Sequence, residues 1–257
     1  MPRTGQPATR HVAAVERAVL VLEVLSAADA ALGTNEIARR AGINASSVSR
    51  LLATLVKAGM VEHVADSGRY RLGLRMLHFG NAVLARLDLR EVAHDHLRAL
   101  VGATGETATL SVSGGGEALT VDYVQSDASV QSVARLGRPS VAHATAVGKV
   151  MLASGDARLD GPLTRFTRAT ITDAATLRRE IARTAARGWG EALGEREDDL
   201  HAVAVPVRRA DGPLLAILGV QGPAGRFGQE QRTAAVEHLF TAAAQIEATF
   251  AGRALSE

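Results

Sequence analysis

The feature that most constrains the fold of this chain is a pair of short helical patterns at residues 34–58, TNEIARRAGINASSVSRLLATLVKA. Thr34 is predicted to cap the first helix, and Gly42 to end it in the left-handed conformation. Asn44 is a good N-cap for the second helix. Two short helices joined by so tight a turn are typical of a helix-turn-helix, which places its second helix in the major groove of DNA.

The second of these helices has one apolar and one polar face. Apolar residues recur at helical spacing from Val48 to Val56 and predict a buried stripe. Arginine fits guanine bidentately and serine can bond any base edge, whereas a lysine further along suits phosphate. An ordinary amphipathic helix pair with a solvated polar face remains the alternative. The predicted DNA-binding residues of this segment are Asn44, Ser46, Ser47, Ser49, Arg50, Thr54 and Lys57.

Two flanking segments extend the predicted DNA-binding module. Residues 60–72, MVEHVADSGRYRL, alternate around a turn-rich tip and predict a hairpin, or wing, whose Arg69 and Arg71 can reach the DNA backbone or the minor groove. Residues 1–10, MPRTGQPATR, are predicted to be disordered in isolation. Arg3 and Arg10 could enter a minor groove from this arm, although a terminus without a role is equally compatible.

Charge and composition agree with this division. Residues 1–75 hold 10 Lys and Arg against 6 Asp and Glu, and the remainder holds 19 against 21. The basic excess therefore lies with the predicted DNA-binding module. The absence of cysteine excludes disulfides and a thiol nucleophile. No signal-peptide pattern opens the chain and no apolar run approaches the roughly 18 residues of a membrane span, so we expect a cytoplasmic protein without a membrane partner.

The chain is expected to contain two domains and a connecting helix. Residues 11–73 form the predicted winged helix-turn-helix, residues 74–88 a linker helix, and residues 89–253 a second domain. DNA half-sites usually reflect a protein two-fold, which favours the linker helix as a dimerisation element. A simple linker helix packed on its own domain is the alternative.

The second domain alternates strand and helix patterns. Two hairpin signals and several helical stretches predict an α+β fold with antiparallel strands. Sheets of this kind commonly serve as small-molecule sensors. The predicted strands are ETATLSVSG, EALTVDYVQS, HAVAVPVRRADG and PLLAILGVQG, with a further extended segment at SVQSVARLGRP; the predicted helices are HATAVGKVMLAS, residues 172–187 (capped by Thr172 or Asp173 and closed by Gly188) and residues 229–253.

Several segments in this order resemble the IclR family of bacterial transcription regulators over about residues 12–250. They include AVERAVLVLEVL, EIARRAGI, SSVSRLLATLVKAGMVE, GRYRLGLRML, HATAVGKVMLA and AVAVPVRRADGPLLAILGVQGPAGRF. The resemblance implies a winged helix-turn-helix followed by a GAF-like or profilin-like effector domain. It also implies homodimers that often pair into homotetramers on double-stranded operator DNA, and a small organic ligand that alters operator affinity.

The resemblance further implies where that ligand binds. Family pockets lie between the sheet and the helix that starts within HATAVGK, where the backbone N–H groups of Ala146 and Val147 can receive a carboxylate. Where relatives for small oxoacids carry hydroxyl residues, this chain has Gly219 and Gln221. We therefore expect a roomier, more apolar pocket for an aromatic or acyl-type acid. Ordinary strand roles for Gln221 and His201 remain open. The remaining predicted pocket residues are Leu193, His201 and Ala202.

An enzymatic alternative is a GAF-like hydrolase or metal-dependent enzyme fused to a winged helix. His143 and His201 could assemble a metal or general-base site with the acidic residues between Glu195 and Asp199, but a solvated acidic loop is favoured. No G-x-S-x-G pattern is present, and no cofactor is expected. A ligand-free nucleoid-type protein would tend to be basic throughout. The sequence therefore predicts a sequence-specific DNA-binding regulator rather than an enzyme.

Overall fold

A computed structural model describes residues 12–84, 89–114, 116–137, 139–157, 162–209 and 212–254 of the chain. It divides into two compact units, residues 1–86 and residues 87–257. Arg3 and Arg10, which were predicted to contact DNA, lie outside the described residues. None of the described helices is long and apolar enough to cross a membrane.

The first unit is a small helical bundle with a two-stranded antiparallel hairpin. Val61 pairs with Leu72 at one end of the hairpin and Val64 pairs with Arg69 at the other. The core is formed by buried residues from the first three helices, among them Val21, Ile37 and Leu52. The elements are α1 (Ala13–Ser26), α2 (Thr34–Ala41), α3 (Ala45–Lys57), β1 (Val61–Val64), β2 (Arg69–Leu72) and α4 (Arg75–Leu84).

The turn between α2 and α3 follows the sequence prediction, whereas the start of α2 does not. Gly42 adopts a φ of 66° and ends α2, and the Asn44 side chain caps α3 by accepting a hydrogen bond from the Ser47 N–H at 2.8 Å. The prediction that Thr34 caps α2 is wrong, because Gly33 is the N-cap and Thr34 is already helical. A backbone bridge between Leu32 and Tyr70 holds the preceding chain extended, and the helix begins one residue earlier than predicted.

The second unit is an antiparallel sheet with helices on both faces. The strand order is β5-β4-β3-β8-β7-β6. This arrangement confirms the α+β fold. The elements are α5 (Leu89–Thr104), β3 (Thr107–Gly114), β4 (Glu117–Val124), β5 (Pro139–Ser140), α6 (Ala146–Ala153), α7 (Ala174–Arg187), β6 (Gly190–Leu193), β7 (Leu200–Arg208), β8 (Leu214–Pro223) and α8 (Gln229–Ala254).

The alternation of side chains along the strands separates two cores. Val203, Val205 and Leu218 belong to the cluster with α5 and α8. Ala204 and Ile217, one position along on the same strands, pack against α6 instead. Successive residues of a strand point to opposite faces of the sheet, so the sequence of each central strand contributes to both cores.

Two segments of the second unit differ from their predictions. Residues 129–139 were expected to be extended, but within the described part of this segment only Pro139 belongs to a strand. Strand β6 was not predicted, because GWGEALG has the glycine content of a loop. Gly190 has a structural reason to be glycine, since a Cβ there would lie 2.7 Å from the Ala146 carbonyl oxygen. The small residue therefore allows β6 to pack against α6.

Candidate DNA interface and effector cavity

The outer face of α3 is polar and solvent-accessible. Val48, Leu52 and Leu55 are buried on its inner side. Arg50 and Lys57 are exposed, and within the described part of the chain neither side chain forms a hydrogen bond or an ion pair. The helix thus presents uncommitted donors to solvent. Of the other predicted contacts, Ser46, Ser49 and Thr54 are exposed and Ser47 is half-buried.

Asn44, predicted as a DNA contact, is engaged in the structure of the turn. Its Oδ1 accepts hydrogen bonds from the Ser47 N–H at 2.8 Å and from the Ser46 hydroxyl at 2.9 Å. These bonds satisfy backbone and side-chain donors at the start of α3. Only the side-chain amide nitrogen of Asn44 is left to reach an external acceptor.

The wing arginines already have partners within the first unit. Arg71 forms a bidentate pair with Glu62 across the hairpin, at 2.9 and 3.0 Å, which lowers the pKa of the Glu62 carboxyl. Arg69 donates to the Ala31 carbonyl at 3.1 Å. Both arginines are exposed. Arg71 would therefore have to give up its ion pair with Glu62 to contact DNA, whereas Arg50 has no such pair to break.

A cavity in the second unit lies between one face of the sheet and the start of α6. The space open to the centre of a water molecule is about 90 Å³. One water needs roughly 10–15 Å³ of this measure, so the cavity can hold on the order of six to nine waters. Its lining comprises Thr109, Ser111, Thr120, Ser132, Val133, Ala134, Arg135, Pro139, Ser140, Ala144, Thr145, Ala146, Val147, Ala192, Glu195, Arg196, Glu197, Leu200, Ala202, Val203, Gly219, Val220 and Gln221.

The start of α6 forms one end of this cavity. Thr145 caps the helix by accepting a hydrogen bond from the Gly148 N–H at 3.0 Å, and its hydroxyl donates to the Val141 carbonyl. The N–H groups of Ala146 and Val147, in the first turn, have no partner within the helix. A Cβ on Gly148 would lie 2.5 Å from the Ala142 Cα. Glycine is required there for the helix to start so close to the preceding segment.

Five of the seven predicted effector residues line the cavity. They are Ala146, Val147, Ala202, Gly219 and Gln221. On Gly219, a Cβ would lie 2.9 Å from the Thr109 hydroxyl. The absence of a side chain at this position therefore preserves space on the floor of the cavity.

The other two predicted residues, Leu193 and His201, are not among the residues that line the cavity. They pair with each other across β6 and β7, one register position beyond the cavity-lining pair Ala192 and Ala202. Strand alternation directs them to the opposite face. The His201 Nδ1 lies 3.0 Å from the Phe227 carbonyl oxygen. The structure thus contradicts their placement in the pocket.

Several polar residues of the cavity were not predicted from the sequence. Thr109 and Ser111 alternate with buried Ala108 and Leu110 on β3, and this period-two pattern of small hydroxyl residues was the available signal. Ser132 and Arg135 lie in an irregular segment, where no periodicity marks them. The Ser132 hydroxyl accepts a hydrogen bond from the Gln221 side chain at 2.7 Å.

A buried ion pair borders the cavity and corrects the expectation of a solvated acidic loop. Glu197, Asp198 and Asp199 are exposed, but Glu195 is buried. Its Oε1 accepts a hydrogen bond from the Lys149 Nζ at 2.6 Å, and Lys149 is itself only 1% exposed. Burial raises the pKa of Glu195 above 4.5, although Lys149 opposes this.

The Lys149 ammonium has two further neighbours. It donates to the Glu191 carbonyl at 2.8 Å and lies 3.8 Å from the Glu180 Oε1 on α7. In the structure it joins α6 to β6 and to the segment after it.

The proposed enzymatic residues do not converge. His143 Nε2 lies 2.9 Å from the Thr164 carbonyl oxygen, and His201 faces Phe227. Within the described residues, no group of three or more His, Asp or Glu side chains is arranged to hold a metal ion.

Comparison with known proteins places both units in one family. The IclR helix-turn-helix domain model matches residues 14–65, and the model of the bacterial transcriptional regulator IclR C-terminal domain matches residues 81–248. The HTH-type transcriptional regulator XynR of Escherichia coli is 30% identical over 215 residues, covering 81% of this chain and 85% of its own.

Solved structures agree with these matches. A protein of Silicibacter sp. TM1040, described as an IclR transcriptional regulator, superposes with a TM-score of 0.82 at 27% identity, covering 93% of this chain and 96% of its own. An IclR homolog of Microbacterium hydrocarbonoxydans, in complex with 4-hydroxybenzoate, superposes with a TM-score of 0.74 at 28% identity, covering 92% and 98%.

Proposed function

The chain belongs to the IclR family of DNA-binding transcriptional regulators, and on that premise we propose that a small organic acid, bound in the cavity beside α6, controls its affinity for a specific operator. The relatives found by comparison are transcriptional regulators, which are not enzymes. We further propose that residues 11–73 bind DNA, that residues 74–88 connect the two domains, and that residues 89–253 bind the effector. The proposed location of the protein is the cytoplasm.

The observation that carries the DNA-binding part is the uncommitted polar face of α3. Arg50 is exposed and has no partner among the described side chains, so a guanidinium–guanine contact would not break an existing bond. Lys57 lies about two turns further along the same face of the helix and is proposed to contact phosphate. Ser46, Ser47, Ser49 and Thr54 complete the proposed base-reading surface, with Asn44, Arg69 and Arg71 at its edges.

A matched pair of variants tests these roles. Arg50→Ala is expected to weaken binding to the specific operator by roughly 1–3 kcal/mol and to relax base choice at one position. Lys57→Ala is expected to weaken specific and random DNA alike and to flatten the dependence of binding on salt. Fluorescence anisotropy with operator and scrambled duplexes measures both. Equal losses on both duplexes for Arg50→Ala would make Arg50 a phosphate contact.

The proposal of an organic acid effector is supported by the cavity's chemistry and size. The first turn of α6 offers N–H groups and the positive end of the helix dipole, an arrangement that favours a carboxylate. The cavity can hold on the order of six to nine waters, and covalently bonded atoms pack more closely than waters, so a single-ring or short acyl acid fits. The related M. hydrocarbonoxydans protein was crystallised with 4-hydroxybenzoate. An aromatic or acyl-type acid is therefore the proposed ligand class.

A homodimer that can pair into a tetramer is proposed from the apolar surface of the first unit. Leu74, directly before α4, and Leu77, in its first turn, are 80% and 63% exposed. Val15 and Val19 on α1 are 60% and 47% exposed, one helical turn apart. Exposed large apolar residues on two helices support a protein–protein contact. The two-fold symmetry of operator half-sites suits such a dimer.

The thermodynamic linkage between ligand binding and operator binding tests the proposed function as a whole. A ligand that prefers one of two DNA-binding states must shift operator affinity, and operator must shift ligand affinity by the same factor. Full-length protein is titrated with an operator duplex from the DNA flanking its gene, with and without saturating benzoate or 4-hydroxybenzoate. A shifted midpoint with the acid recovered unchanged supports the proposal. Operator binding that no member of an aromatic and acyl acid panel shifts would refute effector control.

A further inference from the structure

We propose that the effector of this protein is an acid that also carries a hydroxyl group, and that the Glu195 Oε2 recognises that hydroxyl, with Ser111 as a second contact. This inference rests on the proposed function and specifies its ligand class. It starts from two buried polar atoms that have no hydrogen-bond partner within the described structure and that belong to residues lining one cavity.

Among the described residues, Ser111 Oγ and Glu195 Oε2 are buried and make no hydrogen bond. Both residues line the cavity beside α6. The Glu195 side chain is 9% exposed and the whole Ser111 residue 1%. Buried polar atoms are nearly always paired, so an unpaired one calls for an explanation. The third such atom, Thr184 Oγ1, lies on α7 and does not line this cavity.

The ion pair holds the Glu195 carboxylate in place. Oε1 is bonded to the Lys149 Nζ at 2.6 Å, and the same ammonium is fixed by the Glu191 carbonyl at 2.8 Å. The carboxyl group therefore cannot turn without breaking a buried contact. Its second oxygen is thereby held in a fixed position, and fixed polar groups are what specific recognition requires.

The chemistry of this oxygen selects the ligand group. Burial raises the pKa of Glu195, and the Lys149 ammonium at 2.6 Å opposes this. In the ion pair with Lys149 the carboxylate is ionised, and an ionised carboxylate only accepts hydrogen bonds. A ligand must therefore supply an N–H or O–H donor. A ligand ammonium would meet Lys149 beside Glu195, and Arg135 and Arg196 also line the cavity. Like charges repel at such distances, so a neutral hydroxyl donor is favoured over an amine.

The two ends of the ligand are thereby distinguished. Its carboxylate is drawn to the N–H groups of Ala146 and Val147, and it would be repelled by an ionised Glu195. Its hydroxyl is drawn to Glu195, where an acid without this group leaves the oxygen unpaired. Sites built around a hydroxyl reject the analogue that lacks it far more strongly than an apolar pocket rejects an extra methylene.

Matched pairs of acids that differ by one hydroxyl test the proposal. Isothermal titration calorimetry on the full-length protein compares benzoate with 3- and 4-hydroxybenzoate, and hexanoate with 6-hydroxyhexanoate. At least one hydroxylated member is expected to bind roughly tenfold or more tightly than its parent. Glu195→Gln and Ser111→Ala are each expected to reduce this preference severalfold, with a smaller change in the affinity for the parent acid.

Controls separate recognition from folding. Asp198→Asn makes the same chemical change at an exposed position of the same loop and is expected to leave the preference intact. Thermal unfolding of each variant reports its stability, and Ser111→Ala, which removes one atom, serves if Glu195→Gln unfolds. Equal affinities within every pair, or a preference that both cavity variants retain, would overturn the inference while leaving acid control of the operator standing. If no acid of either kind binds, the inference and effector control by acids both fail.

Discussion

Replacing Lys149 by methionine should destabilise the second unit selectively. Methionine keeps an unbranched side chain of similar length, so most apolar contacts of the lysine stem are retained. The ammonium is lost, and with it the hydrogen bonds to Glu195 at 2.6 Å and to the Glu191 carbonyl at 2.8 Å. Glu180 still has Arg187 at 3.1 Å. The loss of folding stability therefore comes mainly from Glu195, which stays buried without its ammonium partner.

The size of this loss of stability depends on whether Glu195 stays ionised or takes up a proton. Removing one member of a buried ion pair typically costs about 3–5 kcal/mol. Protonation limits this cost, because a carboxyl with an ordinary pKa of 4.5 can be neutralised at pH 7 for about 3.4 kcal/mol. The loss of the donor to Glu191 adds about 1 kcal/mol. We expect a destabilisation of about 4 kcal/mol, or a fall of roughly 8–16 °C in the melting temperature of a domain of this size.

The pH dependence has a defined sign. In Lys149→Met the folded-state pKa of Glu195 is raised further, so the folded form holds a proton that the unfolded form releases above pH 4.5. Stability then decreases as pH rises from 4.5 through the raised pKa, and the penalty is smaller at pH 5 than at pH 7. The wild-type is expected to show the same trend more weakly, because burial already raises the pKa of Glu195.

Differential scanning calorimetry of the full-length protein at both pH values measures these effects. The transition of the first unit serves as an internal control where the two transitions separate. The double variant Lys149→Met/Glu195→Gln removes the unpaired charge and should recover most of the loss. A decrease of less than about 2 °C at pH 7, or a double variant no more stable than the single one, would refute the argument that the pair is a buried electrostatic unit.

Four further outcomes are expected. Gly219→Val should place a branched side chain against the Thr109 hydroxyl and abolish effector binding by calorimetry while operator binding persists; retained ligand affinity would place the effector elsewhere. Asn44→Ala should destabilise the first unit by about 1 kcal/mol in urea titrations through loss of the α3 cap, and Asn44→Ser should restore it; a neutral alanine variant would contradict the capping role. Hydrogen bonds from Arg39 and Arg40 lower the pKa of Glu36 to about 2, so Glu36 should contribute stability that is present above pH 4.5 and lost as pH falls through 2. In an acid titration of unfolding, the stability of Glu36→Gln should depend less on pH in this range. Leu77→Asn should shift sedimentation toward monomer without lowering the melting temperature of the first unit, and an unchanged dimer would remove α4 from the interface.

The winged helix-turn-helix could be predicted almost residue by residue, because its signals are local. Gly42 needs no partner in space to favour a positive φ, and Asn44 caps a helix that starts at the next residue. The buried stripe of α3 repeats every three or four residues. Thr34 is the exception: a bridge from Leu32 to Tyr70 moves the start of α2, and that contact spans 38 residues.

The cavity was predictable only in part. Strand alternation was visible in the sequence, but the register of β6 against β7 decided that Ala202 lines the cavity and His201 does not. A register is fixed by pairing between strands, and a shift of one residue exchanges the two faces. Ser132 and Arg135 reach the cavity from an irregular segment that has no periodic signal.

The amino-acid order alone determined most of the element types, the polar face of α3 and the family to which the chain belongs, since helix caps, turns and apolar periods act between near neighbours. Only the tertiary structure decided the environment of Glu195, which was expected in a solvated acidic loop. Its partner Lys149 is 46 positions away, and burial exists only once α6, β6 and the following segment have packed together. Ionisation and unsatisfied hydrogen-bonding capacity depend on that packing, so the chemistry of the cavity is a property of the assembled fold.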